Sequence, residues 1–512
     1  MIQFKKLQNG NDVRGVAIAT PNEPRTLSAG AVTFIAASFA DFLAQKTGKT
    51  AALLRIGVGH DSRLSANELK MACFAGLGNA EIFDCGLIST PAMFQSTVLD
   101  ASHFDGAIML TASHLPYQRN GMKFFTKDGA LNKAELSQIL ENAADLCAKF
   151  GAVDEDGLVS CGNFSRGTGS PHPFDMVEVY ASHMREWIKS AVNAADYDHP
   201  LTGLHIIEDA GNGAAGFFAG RILKPLGADI SGSVFLAPDG TFPNHVPNPE
   251  DETAMAAIQK ATRDAGADLG VIFDCDGDRG AVVFRDGTEV NRNALIALLA
   301  TIVAESSPGS TIVTDSVTSD ELQDYLENHL HLKHLRYKRG YKNVIDKAIE
   351  LNQNGEKSEL AIETSGHGAF KENHFSDDGA YIATKIIAKM AVLKRDGRKI
   401  EDLISALAHP AESREIRFKI TNPDFVAYGK KVLEDFRAFA NADDRFIIVE
   451  PNFEGIRVRF DDPEVHGWML LRMSLHDPAM PMNIESKNTG GVDIIMRRLA
   501  PFFANYSELV RA

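Results

Sequence analysis

The chain has 512 residues, which at about 150 residues per domain implies three to four domains and ample buried core. Its net charge of −16, from 52 basic and 68 acidic side chains, disfavours a nucleic-acid or anionic-membrane partner but leaves local basic pockets for phosphate open. Five cysteines without CxxC spacing point to reduced thiols and a cytoplasmic location, and no signal-like or membrane-length apolar run argues for export or for a membrane.

In chain order, Arg55 to Arg63 reads as an apolar strand, a short polar loop with Asp61, and then a helix-like stretch. The unit recurs at Leu204 to Gly213 and Thr311 to Ser316, so related α/β units are expected, with ligands in the loops beyond the strands' carboxyl ends. Between the first two lies Ala107 to Phe125, where Ser113 again follows an apolar strand. Taken alone, that serine suits a helix cap better than it suits chemistry.

After the second unit, the apolar run Leu269 to Phe273 ends in Asp274-Cys-Asp-Gly-Asp-Arg279, three carboxylates at alternate positions. Oxygen ligands packed so closely suit a hard cation such as Mg2+ or Ca2+. An EF-hand is excluded, because Arg279 and Arg285 stand where its Gly and Glu belong. A dehalogenase-type nucleophile loop fits four residues and fails at Asp278, and a plain acidic turn is the remaining alternative.

The last hundred residues change character. Phe446 to Val449, Gly455 to Phe460, Trp468 to Met473 and Met482 to Glu485 read as short strands, with a helix over Val492 to Phe503, which predicts a small α+β domain. Seams at Pro171 to Pro173, Glu289 to Arg292 and Ala408 to Arg414 divide the chain into 1–172, 173–290, 291–411 and 412–512.

Four loops, in order, carry a resemblance. Thr111-Ala-Ser-His114 with Asn120-Gly-Met-Lys123 resembles the phosphoserine loop of the α-D-phosphohexomutases, the phosphoglucomutase/phosphomannomutase family. Asp274 to Arg279 is similar to the family's Asp-Gly-Asp-Gly-Asp-Arg metal loop, with Cys275 for the first Gly. Ile362-Glu-Thr-Ser-Gly-His367 resembles its sugar loop, and Gly467 to Ser474 with Pro478 its phosphate-binding loop. Lesser matches at Val13-Arg-Gly15, Gly59 to Arg63, Asp209 to Gly213 and Asp239 to Asn244 extend the likeness over nearly the whole chain.

The resemblance implies an α/β protein of four domains around a central cleft, three related α/β domains with mixed sheets and a C-terminal α+β domain. It implies phosphoryl transfer on hexose phosphates, glucose or mannose, through phosphoserine at Ser113 and a hexose bisphosphate intermediate. Mg2+ would be held by Asp274, Asp276, Asp278 and Ser113, and phosphoryl transfer chiefly needs positioning and charge neutralisation. Arg14, Lys123 and Arg279 are assigned to the phosphoryl group or the proton relay, although Arg14 and Lys123 also suit a solvated surface. His114 would orient Ser113 or point away from it. Glu363 and Ser365 would bind sugar hydroxyls, His367, expected exposed at a loop turn, would help bind phosphate or shuttle a proton, and Arg472, Ser474 and His476 would grip the distal phosphate.

Departures bear on the substrate. Leu115 replaces an Asn, Arg339-Gly-Tyr-Lys342 lies where relatives carry Thr-Gly-His-Ser, and Leu475 and His476 replace Asn/Gly and Thr. If the altered phosphate loop retains the intermediate poorly, the same chemistry releases hexose 1,6-bisphosphate, with another sugar bisphosphate recharging Ser113. A catalytically silent sugar-phosphate binder is the third reading, opposed by the intact Ser113, aspartates and Arg279.

Overall fold

Short apolar runs bounded by Gly and Asp become the central strands of separate sheets. The computed structural model describes residues 4–153, 158–166, 170–474 and 477–511. In the first domain, Arg55–His60 is flanked in parallel by Gly106–Leu110 and Glu81–Leu87, and Arg119–Thr126 closes antiparallel on Gly106–Leu110. Every residue of Gly106–Leu110 is buried, because helices cover both faces of the sheet. Helix Ala29–Thr47 starts at the Ser28 cap and stops at left-handed Gly48. It packs against helix Ala66–Leu77, where a Cβ on Gly76 would lie 2.2 Å from the Thr33 carbonyl oxygen.

The second domain sets Ile206–Asp209 parallel to Leu269–Phe273, which turns back antiparallel into Gly280–Phe284. The connection in that hairpin is the acidic loop, and its turn uses Gly277 at φ 73°. Helix Glu252–Ala265, capped by Asp251, buries Met255 and Ile258 against these strands. In the third domain Thr311–Asp315 lies between parallel Lys333–Tyr337 and Leu360–Ile362, and helix Tyr341–Gln353 packs on them.

The C-terminal domain is a six-stranded antiparallel sheet under helices Phe425–Asn441 and Gly491–Phe503, which bury Val432, Phe436, Ile495 and Leu499 against it. Two strands differ from the sequence expectation. Glu412–Ile420, of which only residues 412–414 fall in the expected seam, is a strand that pairs with both Ala479–Ser486 and Leu509–Arg511. Its apolar residues Ile416, Phe418 and Ile420 alternate with Glu415, Arg417 and Lys419, which face outward, as in a half-buried strand. Ala479–Ser486 begins three residues before the expected Met482.

The architecture is three α/β domains followed by an α+β domain. By packing, the chain forms two units, residues 1–291 with 365–401, and 292–364 with 402–512. The crossing between 364 and 365 falls inside the Glu363 to His367 loop.

Candidate active site

In the first unit, Ser113 sits in a turn between strands Gly106–Leu110 and Arg119–Thr126. No helix follows, so capping is not its role. Its backbone is left-handed, φ 51°, a region that side chains with a Cβ rarely occupy. The hydroxyl is buried and donates to Asp274 Oδ2 at 3.1 Å. His114 does not point away: its Nδ1 lies 3.2 Å from Ser113 Oγ. Burial, then the Arg279 charge, pull the His114 pKa down to about 3, so the ring is neutral at physiological pH.

The acidic loop is fully buried and surrounded by cations. Lys123 bridges Asp278 and, at 3.2 Å, Asp276, while the Thr90 hydroxyl donates to Asp276 at 2.6 Å. Burial and Asp278 push the Asp276 carboxyl up, but Lys123, Thr90 and Arg14 outweigh them and hold it below the usual carboxylate range. Asp274 goes the other way, raised by burial and by its two acidic neighbours. Lys123 and Arg14 are therefore not surface charges: Lys123 is 4% exposed, and Arg14 binds Asp12 at 2.8 Å and donates to the Thr111 carbonyl.

Ligand oxygens of Asp274, Asp276 and Asp278 lie within 4.8 Å of one another, and Oδ1 of both Asp276 and Asp278 is buried without a hydrogen-bond partner among the described residues. An all-carboxylate set with two unspent oxygens fits a hard divalent cation such as Mg2+.

The expected exposure of His367 is not observed. Gly366, at φ 89°, turns the chain so that His367 is 9% exposed and accepts from Arg279 Nε at 3.1 Å through its Nε2. Its pKa lies well below the usual value through burial and the charges of Arg279 and Lys123. With Nε2 accepting, the proton of the neutral ring sits on Nδ1, which donates to Ser365 Oγ at 2.9 Å. Arg279 also lies 3.8 Å from Asp274 and 3.6 Å from Glu250.

In the second unit, the backbone N–H of Gly340 donates to Glu363 at 2.7 Å. Asp315, at the end of its strand, accepts from the Thr364 hydroxyl at 2.8 Å and pairs with Arg339 at 3.3 Å. Arg472 is 4% exposed, 3.6 Å from Glu454, and its Nε has no partner among the described residues. Glu454 also accepts from Ser316 and from the Arg339 backbone. The Ser474 hydroxyl accepts from the Asp477 N–H at 3.3 Å. His476, with Leu475, lies outside the described residues.

Sequence reasoning gave no role to Thr90, Asp315 or Glu454. Each is an ordinary residue type whose function comes from a contact distant in sequence. Only Asp315, ending a strand of the repeated unit, carried a usable signal.

Three family models match the chain in order: phosphoglucomutase/phosphomannomutase alpha/beta/alpha domain I over residues 5–146, domain II over 178–287 and domain III over 291–410. The chain belongs to the phosphoglucomutase/phosphomannomutase family. It is 26% identical over 506 residues to a phosphoglucomutase of Neisseria gonorrhoeae, across 98% of this chain and 97% of that one. It is 28% identical over 443 residues to a phosphomannomutase/phosphoglucomutase of Pseudomonas syringae pv. tomato, across 86% and 85%. A crystal structure of a family protein from Burkholderia thailandensis superposes with a TM-score of 0.77 at 26% identity, covering 100% of both chains. The chain is thus an enzyme of the phosphohexomutase type, and no helix among the described residues is long and apolar enough to cross a membrane.

Proposed function

We propose that this enzyme interconverts hexose 1-phosphate and hexose 6-phosphate, of glucose or mannose, by passing a phosphoryl group through Ser113 and a bisphosphorylated sugar. The observation that carries the reading is the buried Ser113 hydroxyl, 3.1 Å from Asp274, in a nest where Lys123 and Arg279 already pair with the aspartates. Phosphoserine carries about −1.5 to −2 charges near pH 7 and needs cations around it to be held and transferred.

Asp274, Asp276 and Asp278 would hold Mg2+, which supplies charge neutralisation at a phosphate oxygen. Lys123 and Arg279 present N–H donors to the remaining oxygens, where charge builds in the transition state. Neutral His114, with Nδ1 at Ser113 Oγ, holds the hydroxyl's direction. Glu363, oriented by Gly340, accepts from sugar hydroxyls; Ser365, already accepting from His367, keeps its own proton to donate. Arg472 and Ser474, with His476, take the distal phosphate, and Arg472 suits a two-point grip. The free cysteines accord with a cytoplasmic location.

One observation favours a second reading. Leu475 and His476 change the phosphate loop, and weak retention there would release hexose 1,6-bisphosphate instead. Incubating phosphorylated enzyme with glucose 1-phosphate and following all products by 31P NMR separates the two. Catalytic turnover to glucose 6-phosphate without bisphosphate build-up supports the mutase; stoichiometric build-up supports release; no transfer from Ser113 refutes both.

A further inference from the structure

Ser113 holds a backbone conformation that a residue with a side chain keeps only where its surroundings over-determine it. The surroundings that do so converge on one residue, Arg63. Its side chain is 0% exposed, as is that of Asp61. Nη2 donates to the carbonyls of Ser113 and, at 2.6 Å, Leu115; Nη1 donates to Pro116 at 2.8 Å and Arg119 at 2.9 Å; Nε donates to Asp61 Oδ2 at 3.1 Å. All five N–H donors of the guanidinium are thereby used, four of them on the segment from Ser113 to Arg119.

Asp61 is itself fixed. Its backbone N–H donates to the Leu110 carbonyl at 3.0 Å, and its Oδ1 accepts the Arg63 N–H at 3.0 Å. Its Oδ2 also receives the Cys275 thiol at 3.4 Å, and Cys275 lies between Asp274 and Asp276. One buried chain of contacts therefore runs from the acidic loop through Cys275 and Asp61 to Arg63, and from Arg63 to the Ser113 backbone. The glycine that usually fills the Cys275 position in the family motif has no side chain to make the first link.

We propose that Arg63 is a positioning residue that holds Ser113 in its left-handed turn, and that Cys275 registers this clamp against the acidic loop through Asp61. The proposal rests on Ser113 being the phosphoryl carrier. Lysine at position 63 has three donors on a single nitrogen and cannot reach four diverging carbonyls, so the turn loosens and the Ser113 oxygen loses its aim at Asp274. The sugar and distal-phosphate contacts belong to other residues, so the loss falls on kcat and not on KM.

The test is steady-state kinetics of Arg63→Lys, Asp61→Asn, Cys275→Ser and Cys275→Ala, with thermal melts and the phosphate occupancy of Ser113 from intact mass. The expected result for folded Arg63→Lys is a kcat lower by ~100-fold with KM within ~2-fold, the scale of a misplacement of about 1 Å. Cys275→Ala should lose a smaller factor in kcat, and Cys275→Ser, which keeps a donor, should restore it. If Arg63→Lys does not fold, Asp61→Asn, which keeps size and removes the fixing charge, carries the same expectation. A folded Arg63→Lys or Asp61→Asn with unchanged kcat, while wild type is phosphorylated on Ser113, overturns the clamp. Wild type that turns over without ever carrying phosphate on Ser113 overturns the carrier assignment and the clamp with it.

Discussion

The two units leave opposite kinds of group unmatched. In the first, three buried aspartates meet Lys123, Arg279 and Arg14, yet Asp276 and Asp278 each keep an oxygen without a hydrogen-bond partner among the described residues. In the second, Arg472 is buried 3.6 Å from Glu454, and its Nε is left without a partner among the described residues. Buried polar groups are costly unless matched, which supports the proposed metal-assisted phosphoryl site in one unit and the proposed phosphate grip in the other.

Removing the carrier breaks the comparison most sharply. Ser113→Ala should lower turnover by at least ~10⁴-fold, as for other covalent nucleophiles, while the melting temperature stays close to wild type. A variant that keeps the wild-type rate refutes the assignment of Ser113. Next, Asp276→Ala should lose activity by at least ~10³-fold together with its response to added Mg2+, because it removes both a proposed metal ligand and a partner of Lys123. Metal titration of residual activity reads this out, and an unchanged Mg2+ response places the cation elsewhere.

At Arg472 the effect is on binding. Arg472→Lys should raise KM by about 10-fold with kcat less affected, the scale of one charge-assisted hydrogen bond. A large loss in kcat at unchanged KM would move Arg472 to the chemistry instead.

The last expected effect is on stability and concerns a buried carboxylate. Burial, then Glu321, raise Glu485 from the usual 4.5 to about 7, while the Trp468 N–H at 2.9 Å, Arg457 and Ser413 pull it only partly back. A folded-state pKa above the unfolded one favours the folded state below pH 4.5, and this contribution is lost as pH rises through about 7. Glu485→Gln should therefore stabilise the chain by about 2 kcal/mol at pH 8 and by little at pH 4. Chemical denaturation at both values reads it, and equal effects at the two would remove the burial argument.

Legibility followed locality. The Asp274 to Arg279 loop and Ser113 could be read because their chemistry lies within a few residues of one strand end. The burial of His367 could not, because it depends on Arg279, 88 residues away. Strand Glu412–Ile420 is marked in the sequence only over its second half, where Ile416, Phe418 and Ile420 alternate with polar residues, while Glu412 to Glu415 holds no apolar residue. The Arg63 clamp was visible only as a motif match, since four of its five partners are carbonyls of a loop more than 49 residues away.

The most direct test is the fate of the phosphoryl group on Ser113. Enzyme labelled there with 32P is mixed with unlabelled hexose 1-phosphate and quenched within one turnover. The account predicts that label leaves Ser113 and appears in hexose bisphosphate or hexose 6-phosphate in step with substrate consumption. Label that stays on the serine while product forms would contradict it.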